Sequence, residues 1–218
     1  MPRPKNPLLS STAIANAALQ LVEDTGDIQM VQLARHLGVA PSSLYTHVSG
    51  RSEVIDLARL QMLKQMTPAE PGQNWQVAVE ALLRQLTMLY ARHRKILPLI
   101  FATTVTDERS ISVYEPVFAA LLTGGFRAEQ LRLVIALVEF QAMGIAQGLP
   151  VPAMSAGIRE TLPAYTASIV HSRYSQASAT DFAVNTIIRG LESTLADDQH
   201  HELTQPSRNV MLRPSPPA

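Results

Sequence analysis

The chain has no cysteine among its 218 residues. Disulfide bonds and metal sites with cysteine ligands are therefore excluded, and a reducing compartment is the natural setting. A membrane-spanning run is lacking as well, because the most apolar stretch, 131–145, is short and contains Arg132, Glu139 and Gln141. The N-terminal sequence MPRPKNP is polar and interrupted by proline, unlike a signal peptide. We therefore expect a cytoplasmic protein without a membrane partner.

Catalytic signatures are missing too. The sequence contains no glycine-rich phosphate loop and no HExxH-type pair, and without cysteine it has no thiol nucleophile. His200 and His201, next to Asp197 and Asp198, are a candidate metal cluster, but a segment without helical periodicity is poorly preorganised for a metal. We therefore expect no enzymatic activity, no cofactor and no metal site.

The chain also lacks an excess of charge of either sign. Its formal net charge is zero, and residues 1–66 carry six basic and five acidic side chains. This balance falls short of the basic surface that is usual for a nucleic-acid-binding domain. Any affinity for DNA must therefore come from local contacts and from two copies acting together.

What the chain does contain is apolar residues at helical spacing along most of its length. Hydrophobic residues make up 46% of the sequence, and no segment shows the strict alternation that is typical of a strand, so the fold is predicted to be all-α. Residues 1–9 are predicted to form a flexible arm, 10–66 a first helical domain ending in a linking helix at about 52–66, 72–196 a second helical domain, and 197–218 a disordered tail.

Residues 28–57, IQMVQLARHLGVAPSSLYTHVSGRSEVIDL, are the most informative stretch. A first short helix is predicted to end at Gly38, because glycine readily adopts the left-handed backbone of a tight turn. A second helix is predicted from about Pro41 to Val48, with Leu44 and Val48 facing inward. Its outward side chains are small, hydroxyl-bearing or aromatic, which suits contacts in the major groove of DNA. This pattern predicts a helix-turn-helix.

The segment LARHLGVAPSSLYTHVSGRSEVIDL resembles the signature of the tetracycline-repressor family of bacterial transcriptional regulators. The resemblance is strongest over residues 8–66. It implies a three-helix DNA-binding domain followed by a C-terminal helical domain for ligand binding and dimerisation. The DNA contacts implied by the family pattern, together with the outward face of the second helix, fall on Met30, Val31, Pro41, Ser42, Ser43, Tyr45, Thr46, His47 and Arg51. Met30 and Val31 depart from the family pattern, which commonly has hydroxyl and basic residues at these positions.

Two later helices are predicted to form the dimer interface. Residues 131–145 are apolar on both sides, and a helix of that kind needs partners on both sides. The last helix, predicted over 181–195, repeats apolar residues at spacings of four and three, with Gly190 allowing close approach. The interface predicted from these patterns comprises Leu131, Val134, Ile135, Val138, Ala142, Val184, Ile188, Leu191 and Leu195. The alternative is that both helices belong to the core of one subunit.

The remaining helices are predicted to enclose a cavity for a small, largely apolar effector. Thr67, Ile100 and Gln147 stand where the founding member of the family holds a magnesium-bound tetracycline, so a metal-chelated ligand is not expected. Glu139 is either an acid of the cavity or the partner of an arginine across the interface. The predicted lining is Tyr90, Phe101, Thr103, Thr104, Tyr114, Phe118, Gln141, Met143, Gln147 and His171, although each of these residues could equally fill core space.

These features predict a dimeric DNA-binding regulator, most simply a repressor that a small effector releases from a palindromic operator. The competing interpretation is a constitutive helical scaffold, binding DNA or protein without an effector. A cavity lined by residues within 82–147 would favour the regulator, whereas a filled core there would favour the scaffold.

Overall fold

The computed structural model describes residues 9–148, 157, 161–170 and 174–204, with side chains described as far as residue 197. Its elements are, in chain order, α1 (Ser11–Thr25), α2 (Met30–His36), α3 (Pro41–Tyr45), α4 (Arg51–Leu63), α5 (Trp75–Arg92), a 3₁₀ turn (Arg94–Ile96), α6 (Leu97–Phe101), α7 (Glu108–Ser112), α8 (Glu115–Thr123), α9 (Ala128–Gln147), α10 (Pro163–Val170) and α11 (Gln176–Thr204). Within the described ranges every regular element is helical, so the predicted all-α fold is confirmed.

The helices of the first domain, α1–α4, are specified by local signals that can be recognised in the sequence. Ser10 caps α1 by accepting a hydrogen bond from the backbone N–H of Ala13 at 3.1 Å, and Gly26 ends the helix with a φ of 79°. Buried apolar side chains from all four helices make the core of the domain, among them Ile14, Leu33 and Leu44. The domain therefore holds its helices in place by packing rather than by charge.

The second domain is organised around α5. This long helix packs along α9 and also contacts α8 and α11. Its N-terminus is capped by Asn74, whose side chain accepts from the N–H of Gln76 at 2.8 Å. Trp75 packs edge-on against Phe126 within this core, with 5.1 Å between ring centroids.

Prolines divide residues 108–122, a segment whose apolar spacing by itself predicts a single helix. The structure instead has α7 and then α8, which begins at Glu115 with Pro116 in its first turn. Proline has no N–H to donate, so it suits the start of a helix and interrupts one that would run through it. Pro98 likewise lies in the first turn of α6.

The ends of two other helices also differ from expectation. The predicted second helix of the helix-turn-helix stops at Tyr45, and residues 46–48 continue as a turn in which the N–H of Val48 still donates to the carbonyl of Leu44 at 3.2 Å. The last helix begins at Gln176 and continues to Thr204, so residues 197–204, predicted as tail, are helical. The predicted arm at 1–8 and the tail beyond 204 lie outside the described residues.

Across the described ranges, no helix combines the length and apolarity that crossing a membrane requires. The same ranges contain no group of three or more histidine, aspartate or glutamate side chains placed to hold a metal ion.

Candidate nucleic-acid interface and ligand cavity

The outer face of α3 is the candidate nucleic-acid interface. Leu44 and Val48 are buried and fix α3 to the domain core. The side chains between them point outward, and Tyr45 keeps 53% of its surface exposed. The exposed set is Pro41, Ser42, Ser43, Tyr45, Thr46 and His47. The structure therefore presents these predicted DNA-contacting residues together on one convex surface.

The other predicted DNA contacts have a different setting. Val31, at the start of α2, is 61% exposed and Met30 is half-buried, so α2 offers apolar side chains here rather than hydrogen-bond donors. Arg51 already has partners inside the domain. Its Nη2 lies 2.6 Å from Oδ1 of Asp27, and its Nε donates to the carbonyl of Ile28 at 3.0 Å.

The hydrogen bond from Arg51 is the main reason why the pKa of Asp27 lies below its ordinary value. Arg51 therefore ties the start of α4 to the turn between α1 and α2, and a phosphate contact would have to share its guanidinium with these partners.

A cavity of about 370 Å³ lies in the second domain, beside α4. It is bounded by α4, α5, α6 and the loop after it, α7, α8 and α9. Its walls are mostly aromatic and aliphatic, with a few polar side chains among them, as is usual for small-molecule sites. The lining residues are Arg59, Met62, Leu63, Tyr90, Ile100, Phe101, Thr103, Val105, Ser110, Ile111, Tyr114, Phe118, Arg132, Ile135, Ala136, Glu139 and Phe140.

Half of the predicted lining residues lie on the wall of this cavity, namely Tyr90, Phe101, Thr103, Tyr114 and Phe118. The remaining described ones do not, because Thr104, Gln141 and Gln147 face solvent and Met143 is half-buried outside the cavity. The residues predicted on α9 lie on the wrong side of that helix. Its cavity-facing positions are 132, 135, 136, 139 and 140. His171 lies outside the described residues.

Three lining residues come from α4, which sequence reasoning had assigned entirely to the first domain. Arg59, Met62 and Leu63 close the side of the cavity next to the first domain. A signal was present in the sequence, because Asp56 and Arg59 are opposite charges one turn apart within the mostly apolar run 54–63 of α4. A charge in such a place is rare unless it has a specific partner.

Arg59 belongs to a buried network that joins the two domains. Its Nη1 forms an ion pair with Oδ1 of Asp56, one turn earlier on α4. Its Nη2 donates to the carbonyls of Ile100 at 2.8 Å and Thr103 at 3.0 Å, at the end of α6. Asp56 also accepts a hydrogen bond from the hydroxyl of Thr106. We call Asp56, Arg59 and Thr106 the interdomain network.

The acid at the centre of the cavity wall is Glu139 on α9. Tyr90 donates its hydroxyl to Oε2 of Glu139 at 2.5 Å, and Tyr114 donates to Oε1. Burial and, after it, the charge of Glu139 raise the pKa of both tyrosines, so both phenols remain protonated donors. Of the two roles open to Glu139 from its sequence position, the geometry places it in the cavity.

Helices α9 and α11 also expose apolar side chains that the protomer does not cover. On α9, Leu133 and Phe140 keep 69% and 61% of their surface, and Leu137 is exposed between them; Phe140 also lines the cavity. On α11, Phe182 keeps 74%. A Cβ atom added at Gly144 or Gly190 would meet nothing within 4 Å, so both helices have open space at these positions.

The predicted dimer residues must be corrected on this point. Val134, Ile135, Val138, Ala142, Val184 and Leu191 are buried within the protomer, and Leu131, Ile188 and Leu195 are half-buried against the same core. These residues pack α9 and α11 onto α5 and onto each other rather than onto a partner. Because α9 is apolar on both sides, its sequence pattern did not distinguish the inner face from the outer one.

Comparison with known proteins matches the second domain to a family. Residues 67–147 match the family described as "Tetracyclin repressor-like, C-terminal domain". The chain is 27% identical to the HTH-type transcriptional repressor DrrR1 of Streptomyces coeruleorubidus over 66% of this chain and 55% of that protein. It is 31% identical to an HTH-type transcriptional regulator of Saccharopolyspora erythraea over 55% of this chain and 52% of that one. The chain thus spans about half the length of these relatives.

The fold is also similar to solved structures. The crystal structure of ActR, a TetR family protein of Streptomyces coelicolor, in complex with actinorhodin has a TM-score of 0.68. It shares 20% sequence identity and covers 86% of this chain and 97% of ActR. Fold and sites together define a helical protein with an N-terminal helix-turn-helix and a C-terminal cavity domain. Residues 67–147 thus match the C-terminal domain of tetracycline-repressor-like proteins, and the fold of the chain is similar to that of a TetR family protein.

Proposed function

We propose that the protein is a dimeric, ligand-responsive DNA-binding regulator, most simply a repressor that its effector releases from a palindromic operator. The main support for this proposal is that α4 forms part of the cavity wall. A ligand in the cavity would therefore contact the last helix of the DNA-binding domain. The same cavity favours a regulator over a constitutive scaffold. A relative named as a transcriptional repressor supports repression, and a similar structure bound to actinorhodin supports a small-molecule effector.

DNA binding is proposed for the outer face of α3. Short hydroxyl and aromatic side chains on an exposed helix fit the floor of the major groove, where base edges are read. The buried anchors Leu44 and Val48 hold that face in a fixed orientation. Arg51 supports it indirectly, through its bonds to Asp27 and to the carbonyl of Ile28. The protein would act in the cytoplasm, where DNA is accessible.

Dimerisation is proposed through the exposed apolar faces of α9 and α11. Leu133, Leu137, Phe140 and Phe182 form a surface that a second copy would bury, and the open positions at Gly144 and Gly190 allow helices to approach closely. A two-fold symmetric pair places two α3 helices on successive major grooves. Two DNA-binding domains acting together also compensate for the weak attraction to DNA that the small positive charge of each domain provides.

The interdomain network is the proposed route between ligand and DNA. The guanidinium of Arg59 joins α4 to the end of α6, and the cavity borders both elements. A second link lies nearby, where Nζ of Lys95 donates to the carbonyl of Glu23 at the end of α1. A ligand that displaces α6 would therefore move α1 and α4 and change the spacing between the two DNA-binding domains of the dimer. It must bind the released form more tightly, by about 1–3 kcal/mol.

The first test is selection of bound sequences from a random pool of double-stranded DNA, using the full-length protein. We expect enrichment of a palindrome whose half-sites are about one helical turn apart. Enrichment of a single half-site would contradict the dimeric arrangement, and no enrichment would contradict sequence-specific DNA binding.

A matched pair of variants then locates the interface. Tyr45→Ala removes an exposed side chain from α3, and losing base and phosphate contacts of this kind should weaken binding to the selected operator by about tenfold or more at fixed salt. Met88→Ala removes an exposed side chain of α5, away from α3, and should leave affinity unchanged. Equal affinities of the two variants would place the DNA contacts elsewhere.

A further inference from the structure

Glu139 is a carboxylate without a cationic partner. Its two oxygens accept hydrogen bonds from neutral phenols, those of Tyr90 and Tyr114, and no arginine, lysine or histidine of the described chain forms an ion pair with it. Removing a carboxylate from water is costly unless a countercharge approaches it. The cavity therefore contains a negative charge without an ion-pair partner on a mostly apolar wall.

The two arginines of the cavity do not supply that countercharge. Arg59 is already committed to Asp56 and to the carbonyls of Ile100 and Thr103. Arg132 lies two turns before Glu139 on α9 and is exposed at the rim. The positive charge that would complete the site is thus left to the ligand.

Aromatic rings surround the space in front of Glu139. The ring of Phe101 lies 5.8 Å from that of Tyr90 at an interplanar angle of 78°, and 6.3 Å from that of Phe140 at 28°. Phe118 adds a further ring to the wall. Aromatic faces attract cations through their quadrupoles and also bury planar ring systems, so both parts of an aromatic amine find complementary surface here.

We propose that the effector cavity is built for an organic cation, namely a planar aromatic compound that carries a protonated amine. The amine would lie against the Glu139 carboxylate and the ring system against Phe101, Phe118 and Phe140. The volume of about 370 Å³ is at the lower end of the range for small-molecule sites and suits a compound of about three fused rings. This inference rests on the proposed effector function and specifies its ligand.

Three probes with the same tricyclic ring test the charge preference. The purified full-length protein, without DNA, is titrated calorimetrically with 9-aminoacridine, acridine and acridine-9-carboxylate, which are cationic, largely neutral and anionic at neutral pH. We expect the cation to bind about tenfold more tightly than the neutral ring, since an ion pair and cation–π contacts are added in a desolvated site. The anion should bind least. Equal affinities of the cation and the neutral ring would overturn the proposal without any variant.

Two variants locate the charge. Glu139→Gln keeps the size of the side chain and should lower affinity for 9-aminoacridine to that for acridine, while affinity for acridine changes less than about twofold. Arg132→Gln, the control at the rim, should not weaken binding of the cation. An equal loss for all three probes in Glu139→Gln would indicate a packing role and would also overturn the proposal.

Operator release separates this inference from the proposed function. Addition of 9-aminoacridine to the complex with the selected operator should release DNA from the wild-type protein and not from Glu139→Gln, which controls for intercalation of the probe into DNA. Cation-selective binding without release would support the ligand class and contradict the effector role. Release by the neutral ring alone would support the effector role and contradict the ligand class.

Discussion

Two arginine–aspartate pairs in this protein should differ widely in their contribution to stability. Arg59 and Asp56 have side chains that are 7% and 3% exposed, whereas Arg51 and Asp27 are 46% and 47% exposed. Replacing Arg59 by methionine keeps a long side chain but leaves the Asp56 charge buried and removes the donor to Ile100. Breaking a buried pair in this way costs about 3–5 kcal/mol, whereas an exposed pair is worth at most about 1 kcal/mol.

The assay is thermal unfolding followed by circular dichroism, at a fixed protein concentration because the stability of a dimer depends on concentration. Arg59→Met should lower the midpoint of thermal unfolding by about 6–20 °C, against less than about 4 °C for Arg51→Met. The double variant Asp56→Asn/Arg59→Met should recover part of the loss, because it leaves no buried charge. If Arg59→Met and Arg51→Met lower the midpoint of unfolding by the same amount, the interdomain network does not contribute more to stability than the exposed pair.

Three further outcomes are expected from the structure. Leu137→Arg should yield monomers in sedimentation experiments with unchanged helix content, while Met88→Arg stays dimeric; a dimeric Leu137→Arg would move the interface. The raised pKa of Tyr114 means that its proton is kept in the folded state but lost from the unfolded state above about pH 10, so stability should fall by up to about 1.4 kcal/mol per pH unit there. Tyr114→Phe should make this fall shallower, and unchanged slopes would contradict the assignment. Gly124→Ala places a Cβ in steric overlap with the indole ring of Trp75 and should lower the free energy of unfolding in urea by about 1–3 kcal/mol; an unaffected midpoint would show that Trp75 shifts freely.

Local sequence explains most of the helical structure of the first domain. Its helices follow from signals that act within a few residues, such as the Ser10 cap, the left-handed Gly26 and the inward spacing of Leu44 and Val48. The outward face of α3 followed from the same spacing. The end of α3 was less well predicted, because the boundary of a short helix depends on hydrogen bonds that periodicity does not specify.

Prediction of the second domain was weaker where helices are apolar on more than one side. The pattern of α9 contains both Val138, which is buried, and Leu137, which is exposed, and hydrophobicity alone does not rank the two faces. The interface residues were therefore assigned to the inner face. For the same reason Gln141 was assigned to the cavity, although it lies on the solvent side.

By itself, the sequence determined the helical class, the helix-turn-helix and its exposed residues, and the resemblance to the tetracycline-repressor family, because these depend on local propensity and on a contiguous signature. Tertiary structure alone decided the cavity and its link to DNA. Arg59 meets the carbonyl of Ile100 across 41 positions, and Glu139 meets Tyr90 across 49. Contacts at such separations are created by packing of whole helices, so no pattern in any one segment could specify them.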